Sequence, residues 1–361
     1  MNSRPFALVP VLVLAGLTPG VATAATPLVG APVGSPLRLL RPDLTPRSGG
    51  PVLPRQTFAT VLSPDGRRFA ALTRRRIVVF NRRSGRRVVA LPARGAIAAL
   101  WPTQHRLVTF GFDASGSEEL RAVLLATGRI TRRVRLGERL DAEVSGRRVR
   151  VLQRTRDGLE LDEVRADGRR VRRYRFGLPA GVTPSFMGGS LRDGMVLVST
   201  TTGAVAPYRH ALVPLGGADH PIGLTGSVYR FVTPGIVADA ENNLASLDRR
   251  ALTVSREVTD APGGWLTPVA GGVAVGLGSL VYDRRLALVA AHPSVPAAAS
   301  APVASGARLY ALTVRCTVAG RADGAIGVGV RTGSVVARRE GPFAIGRLGG
   351  PVARPAEDAC D

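Results

Sequence analysis

Seven short hairpins recur along this chain about every 41 residues, and that period limits the possible fold more than any other feature. The stretches "VVFNRRSGRRVVALP", "AVLLATGRITRRVRLG" and "LDEVRADGRRVRRYRFG" share one plan. Each holds an apolar strand, a Ser/Thr/Asp-Gly turn, and a second strand with charge on one face. Their turn glycines are Gly85, Gly128 and Gly168, and comparable turns follow at Gly217, Arg250, Arg285 and Gly333. A second set of turns, at Gly66, Gly146 and Gly194, is separated by 80 and 48 residues, about two periods and one. No stretch keeps helical spacing of apolar residues over three turns, so the pattern is all-β. The period matches the length of a four-stranded propeller blade. The expected fold is therefore a single β-propeller over residues 58–345, most simply seven-bladed, with six or eight blades as alternatives. The strand "PLRLLRP" (36–42), or the chain near it, is expected to complete the last blade and close the ring.

Both ends of the chain lie outside that repeat. Residues 1–24 read as a secretory signal: Arg4, then the apolar run "FALVPVLVLAGL", then small residues at Ala22–Ala24. Pro10, Pro19 and Gly20 make the run too short to span a bilayer stably. No later segment reaches 18 uninterrupted apolar residues, so the mature chain is expected to lack a membrane span. Residues 25–57 read as a Pro/Gly-rich linker and extended strap, and 346–361 as a C-terminal tail. The expected location is secreted, extracellular or cell-envelope, and periplasmic if the source has an outer membrane. Cys316 and Cys360 are the only cysteines. In an exported chain such a pair reads as a disulfide, here closing a loop of about 45 residues worth about 4 kcal/mol. It would pin the tail.

The stretch "SPDGRRFAAL" resembles the Ser-Pro-Asp-Gly strand motif of WD40-like and TolB-like bacterial propellers. The glycine hairpins resemble those of the YVTN family of exported bacterial propellers. The resemblance covers 58 to about 345 as an architecture and implies an exported propeller. The full Ser-Pro-Asp-Gly form occurs once, and the Trp-Asp dipeptide of eukaryotic WD40 repeats is absent. Within the motif, Pro64 presets a turn, Gly66 accepts positive φ, and Asp65 is expected to bind backbone amides inside the turn.

The net charge of +23 is carried by arginine alone, since the chain has no lysine. Residues 58–177 hold 28 arginines against 12 acids, whereas 178–361 hold 16 against 13. Many of these arginines alternate with apolar residues. Arg133 and Arg135 oppose Val134 and Leu136, and Arg173 and Arg175 oppose Tyr174 and Phe176. That is the period of a strand with one wet face. Charge on outer strands also discourages edge-to-edge pairing. Arg133, Arg135, Arg173 and Arg175 are the candidate face for an anionic partner such as an envelope polymer or phospholipid surface. Nucleic acid is disfavoured by export and by an aromatic content of 5% with no aromatics placed for stacking.

No residue is assigned a catalytic, metal or cofactor role. The four histidines, His105, His210, His220 and His292, lack metal-ligand spacing, and "DAENN" (239–243) reads as a solvated turn. No GxSxG and no quinoprotein repeat occurs. The expected function is an exported, non-catalytic binding or scaffolding module, without cofactor and monomeric. Its partner would be an unknown protein or small-molecule ligand at a channel mouth. A lyase or hydrolase in the channel mouth is the alternative, and a basic module for anionic envelope polymer a further one. Loops 73–76, 112–119, 154–158 and 200–205 are the contact candidates.

Overall fold

A computed structural model of the chain describes residues 26–93, 95–177, 181–183, 187–203, 207–239, 241, 243–259, 264–296, 298–317 and 320–355, with backbone only at 315–317 and 320–322. The signal segment 1–24, Cys360 and the Cys316 side chain fall outside the described residues, and so does the expected disulfide.

The strands form eight antiparallel sheets, each a blade of a closed ring. Blade 3 shows the plan: Glu138–Ser145, Arg148–Thr155, Gly158–Arg165 and Arg170–Phe176 run in sequence order from the inner to the outer strand. The first strands of successive blades touch one another and so surround a central channel. Blades 1, 2 and 4 to 7 repeat the plan with inner strands Ala59–Leu62, Ala96–Thr103, Met187–Arg192, Arg230–Thr233, Leu266–Val269 and Val303–Ser305. Blade 8 joins the two ends of the chain. Phe343–Arg347 is its inner strand, and Leu28–Pro32, Leu37–Leu40 and Val52–Leu53 follow outward. The register runs from Leu28 opposite Arg347 to Pro32 opposite Phe343. Val352–Ala353 then turns back along the inner strand and links it to blade 1, through Val352 N–H to the Phe58 carbonyl and Thr60 N–H to the Gly350 carbonyl, both 2.8 Å.

The expected count of seven is therefore corrected to eight. All seven recurring hairpins are the turns from third to outer strand of blades 1 to 7. In blade 8 that connection is the eleven-residue segment 41–51, which carries no hairpin signature, and three of its strands lie in the stretch expected as a strap.

Every blade has neighbours on both faces, and burial follows from that. Among the described residues eight apolar clusters occur, one at each blade boundary. Second strands accordingly read as continuous apolar runs, such as "FAAL" (69–72) and "MVLV" (195–198). Four strands return each blade to the end of the ring where it began. Inner-to-second and third-to-outer turns thus share one end, the upper face, and second-to-third connections share the other. Loops 73–76, 112–119, 154–158 and 200–203 all belong to the lower face; residues 204–205 of the last lie outside the described residues.

The repeat glycines do two jobs. Gly168 has φ +86°, a region L side chains avoid. A Cβ there would also lie 2.8 Å from the Arg132 Cβ on the outer strand of blade 2. Gly128 of blade 2 likewise approaches Leu91 of blade 1. Both turns are pressed against the preceding blade. Blades 5 and 6 manage the turn with Leu252 and Leu286 at positive φ, and Leu286 is fully buried.

One blade boundary carries a buried histidine. His210, on the third strand of blade 4, places Nδ1 3.0 Å from the Ser199 hydroxyl and Nε2 3.2 Å from the Gly226 carbonyl. The carbonyl only accepts, which assigns the proton to Nε2. The ring meets Tyr229 edge-on at 5.3 Å. Burial pushes the imidazole below its ordinary value of 6.5, against the opposing pull of the Gly226 carbonyl, Glu257 and Asp239.

Two expectations follow. Gly168→Ala should cost about 2–4 kcal/mol in urea unfolding, combining strained φ with overpacking. Gly116→Ala, with positive φ but open space around it, should cost only about 1–2 kcal/mol; equal losses would remove the packing role. For His210 the unfolded chain binds the extra proton below pH 6.5 while the native chain does not. Stability should therefore fall as pH drops from about 6.5, and His210→Gln should flatten that decline. An unchanged slope in the variant would place the pH dependence elsewhere.

Candidate anion-binding face

Strand register decides which arginines are free. The third strand of blade 3 carries Glu160, Asp162 and Glu163, all buried. On the face turned to blade 2, Asp162 opposes Arg173 and Glu160 opposes Arg175. Arg173 Nε sits 2.9 Å from Asp162, Arg170 2.8 Å from it, and Arg175 3.2 Å from Glu160. The Gln153 amide adds a hydrogen bond to Asp162 at 3.1 Å. On the other face Glu163 takes Arg150 at 2.8 Å and Arg148 at 3.1 Å, and Arg150 continues to Glu143 at 3.2 Å. Burial alone would raise the Glu163 carboxyl, but these two guanidinium groups hold it below its ordinary value.

In blade 2, Glu119 joins Arg121 and Arg133, the latter at 2.9 Å. Arg135 donates to the hydroxyls of Ser115 at 3.1 Å and Ser117 at 2.7 Å. Arg139 of blade 3 reaches Glu118 of blade 2 at 2.6 Å. The four arginines singled out from the sequence are thus placed on two outer strands. Arg133 and Arg135 face the boundary with blade 1, and Arg173 and Arg175 the boundary with blade 2. All four are engaged by neighbouring side chains, three by carboxylates and Arg135 by the hydroxyls of the 113–117 loop.

Blade 1 is different. Residues 58–92 hold nine arginines and a single acid, Asp65. Asp65 is spent on its turn, accepting from the Ser63 hydroxyl at 2.6 Å and the Arg67 N–H at 3.0 Å, and the Ser63 bond leads in holding its carboxyl low. Among the described residues none of the nine arginines forms an ion pair. Three of them, Arg67, Arg82 and Arg83, meet Arg47 of blade 8 around an open cleft of about 750 Å³ on the upper face. Arg82 reaches the Gly66 carbonyl at 3.4 Å, and the Asn81 side chain accepts the N–H groups of Arg83 and Ser84 at 2.9 Å. These bonds shape the turn without neutralising it. No carboxylate lines the cleft, so its potential is positive and open to solvent. The arginine runs of blade 1 are plain in the sequence; that Arg133, Arg150, Arg173 and Arg175 of the next two blades meet buried carboxylates is set by register and could not be read from spacing.

The remaining sequence candidates are structural. His105 and His220 are exposed, and His210 lies between blades 4 and 5. Asp239 and Asn243 are buried rather than solvated. Asp239 accepts the N–H groups of Ser227, Glu241 and Asn243 and the Asn243 amide, at 2.8–3.1 Å. Among the described residues no three His, Cys, Asp or Glu side chains gather to hold a metal ion. Among them, too, no helix is long and apolar enough to cross a membrane.

Neither a protein-family model nor a curated protein sequence matches this chain. Solved structures do. BamB from Moraxella catarrhalis aligns over 81% of this chain and 93% of its own, at 14% identity and a TM-score of 0.55. Apo AztD from Citrobacter koseri aligns over 91% and 100%, at 11% identity and a TM-score of 0.53. A eukaryotic initiation factor aligns over 91% and 96%, at 12% identity and a TM-score of 0.53. BamB and AztD are β-propellers, and at these identities the likeness establishes the fold: the chain is an all-β propeller of four-stranded blades.

Proposed function

We propose that this protein is an exported, non-catalytic binding module that docks an anionic partner at the arginine-lined cleft between blades 8 and 1. The observation that carries this reading is the contrast between adjacent blades. Ten of the eighteen arginines in residues 96–176 form ion pairs, seven of them with buried carboxylates, whereas among the described residues none of the nine in blade 1 does, and three of those nine converge with Arg47. A cluster of exposed guanidinium groups attracts repeating phosphates or carboxylates and costs little desolvation when it binds them. Export rests on the signal reading of residues 1–24. In an exported protein an anionic envelope polymer is the partner of choice. The cleft has no aromatic side chain on which nucleobases could stack.

A lyase or hydrolase in the channel would need an acid or base free to move a proton. Asp141 and Ser190, the acid and hydroxyl buried on the inner strands of blades 3 and 4, are instead bound to each other and to backbone N–H groups. That favours the binding reading.

The test is retention of the chain lacking residues 1–24 on immobilised poly(glycerol phosphate). Arg67→Gln, Arg82→Gln and Arg83→Gln together should elute at clearly lower salt, with the slope of log affinity against log salt reduced by about two. Arg133→Gln, Arg135→Gln and Arg175→Gln remove the same charge from blades 2 and 3 and should leave elution nearly unchanged. Equal losses in both variants would mean retention by net charge alone and would overturn the assignment of the cleft.

A further inference from the structure

The inner strands of blades 1 to 7 each have one edge facing the channel, and their backbone groups need partners there; in blade 8 Val352–Ala353 covers that edge. Blades 3, 4 and 5 solve this with side chains. Asp141 accepts the Leu191 N–H at 2.8 Å and the Ser190 hydroxyl at 3.0 Å, and the Ser190 oxygen accepts the Phe231 N–H at 3.1 Å. This chain of bonds ties three inner strands together. The next residue, Arg192, ends the inner strand of blade 4 at the upper mouth. It is 6% exposed, and its buried Nε has no hydrogen-bond partner. Arg347 ends the inner strand of blade 8 at the same mouth, four blades round the ring and hence on the opposite wall. Its stem lies over the turn after the strand, where a Cβ on Gly350 would come within 3.0 Å of Arg347 Cγ and 3.1 Å of Nε.

Among the described residues neither guanidinium forms an ion pair or a side-chain hydrogen bond. The acids nearby are committed: Asp141 to the bonds above, Glu143 to Arg150 and the N–H groups of Asp193 and Gly194, and Asp193 to Arg249 at 3.6 Å. Asp141 does feel the charge of Arg192, but burial dominates and raises its carboxyl. Burial first, and then the charge of Arg192, lower the proton affinity of Arg347, as expected of two cations sharing one channel. Arg192 is buried and Arg347 half-buried, and two like charges so shielded from water without a counterion are unfavourable. An anion between them would remove both penalties.

We propose that the upper mouth of the channel is a binding site for a phosphate-type oxyanion held between Arg192 and Arg347. A tetrahedral oxyanion presents oxygens in opposite directions, so each can meet one of two opposed guanidinium forks. A carboxylate can take two guanidinium groups that approach from its own side, as Asp162 takes Arg170 and Arg173, but its two oxygens do not face forks on opposite walls. The site is separate from the rim cleft and does not depend on the partner proposed for it.

The experiment is thermal unfolding of the chain lacking residues 1–24, titrated with inorganic phosphate at ionic strength held constant with chloride. Wild type should show a saturable rise in Tm. Arg192→Met and Arg347→Met should each weaken phosphate at least tenfold, while in chloride alone each variant melts no lower than wild type, since one of two uncompensated like charges has been removed. Arg347→Lys keeps the charge without the fork and should bind weakly, which guards against a Met variant that folds poorly. The triple glutamine variant of Arg67, Arg82 and Arg83 should keep the full phosphate response. A parallel titration with glycerol 3-phosphate distinguishes a phosphoryl group on a larger ligand, which gives the same rise, from a site closed to all but the free ion, which gives none. No rise beyond chloride, a rise surviving in both Met variants, or its loss in the cleft variant would each overturn the proposal.

Discussion

The pairing of Leu28–Pro32 with Phe343–Arg347 is the contact on which the ring depends. Blades stabilise one another only through their faces, so an open array would leave two apolar faces in water. Those faces are substantial. The cluster between blades 7 and 8 gathers Leu28, Leu40, Tyr310 and Phe343, and that between blades 8 and 1 gathers Val29, Leu37, Phe69 and Phe80. Blade 8 covers both at once, and it can do so only when the two ends of the chain have met. Non-local pairing of this kind is costly in loop entropy and is rewarded only when closure is complete. Thr60 and the Gly349–Gly350 turn add hydrogen bonds across the last seam, so the inner edge of the closure is secured as well as its faces.

Closure also explains why charge can be buried on one side of the ring. Blade boundary 1–2 holds Glu119, and boundaries 2–3 and 3–4 hold Asp141, Glu143, Glu160, Asp162 and Glu163, all at or below 6% exposure. All but Asp141, which is held by Ser190 and backbone N–H groups, are tolerated there because arginines on adjacent strands or along the same strand supply charge-assisted bonds. The arginine-rich composition of this region is thus partly a counterion supply for its own acids. Blade 1 has no such acids, and the same residue type is left facing solvent.

How far the sequence disclosed this can be seen residue by residue. Gly85, Gly128 and Gly168 marked the repeat because a turn pressed on the preceding blade leaves no room for a side chain, a local requirement that leaves a local trace. Blade 8 left no such trace, since its strands are split between the two ends of the chain and its outer turn is the irregular segment 41–51. Arg133 and Arg173 showed the alternation of a strand, but their partners Glu119 and Asp162 are defined by pairing register. Arg192 sits in "SLRDGM", where nothing separates it from a turn arginine in water. Its meaning arises from Arg347, far away in the chain and opposite in the ring.

That last relation depends on the blade count. In a ring of eight, blades 4 and 8 stand diametrically opposed, so the ends of their inner strands confront each other across the channel. A seventh-order ring has no opposed pair: each blade faces the gap between two others, and two arginines there would be offset. The eighth blade therefore does more than close the fold. By bringing Phe343–Arg347 into line with Met187–Arg192, it sets the buried Arg192 and the half-buried Arg347 on opposite walls of one mouth, and a ligand of opposite charge placed there would tie the middle of the chain to the blade that joins its two ends.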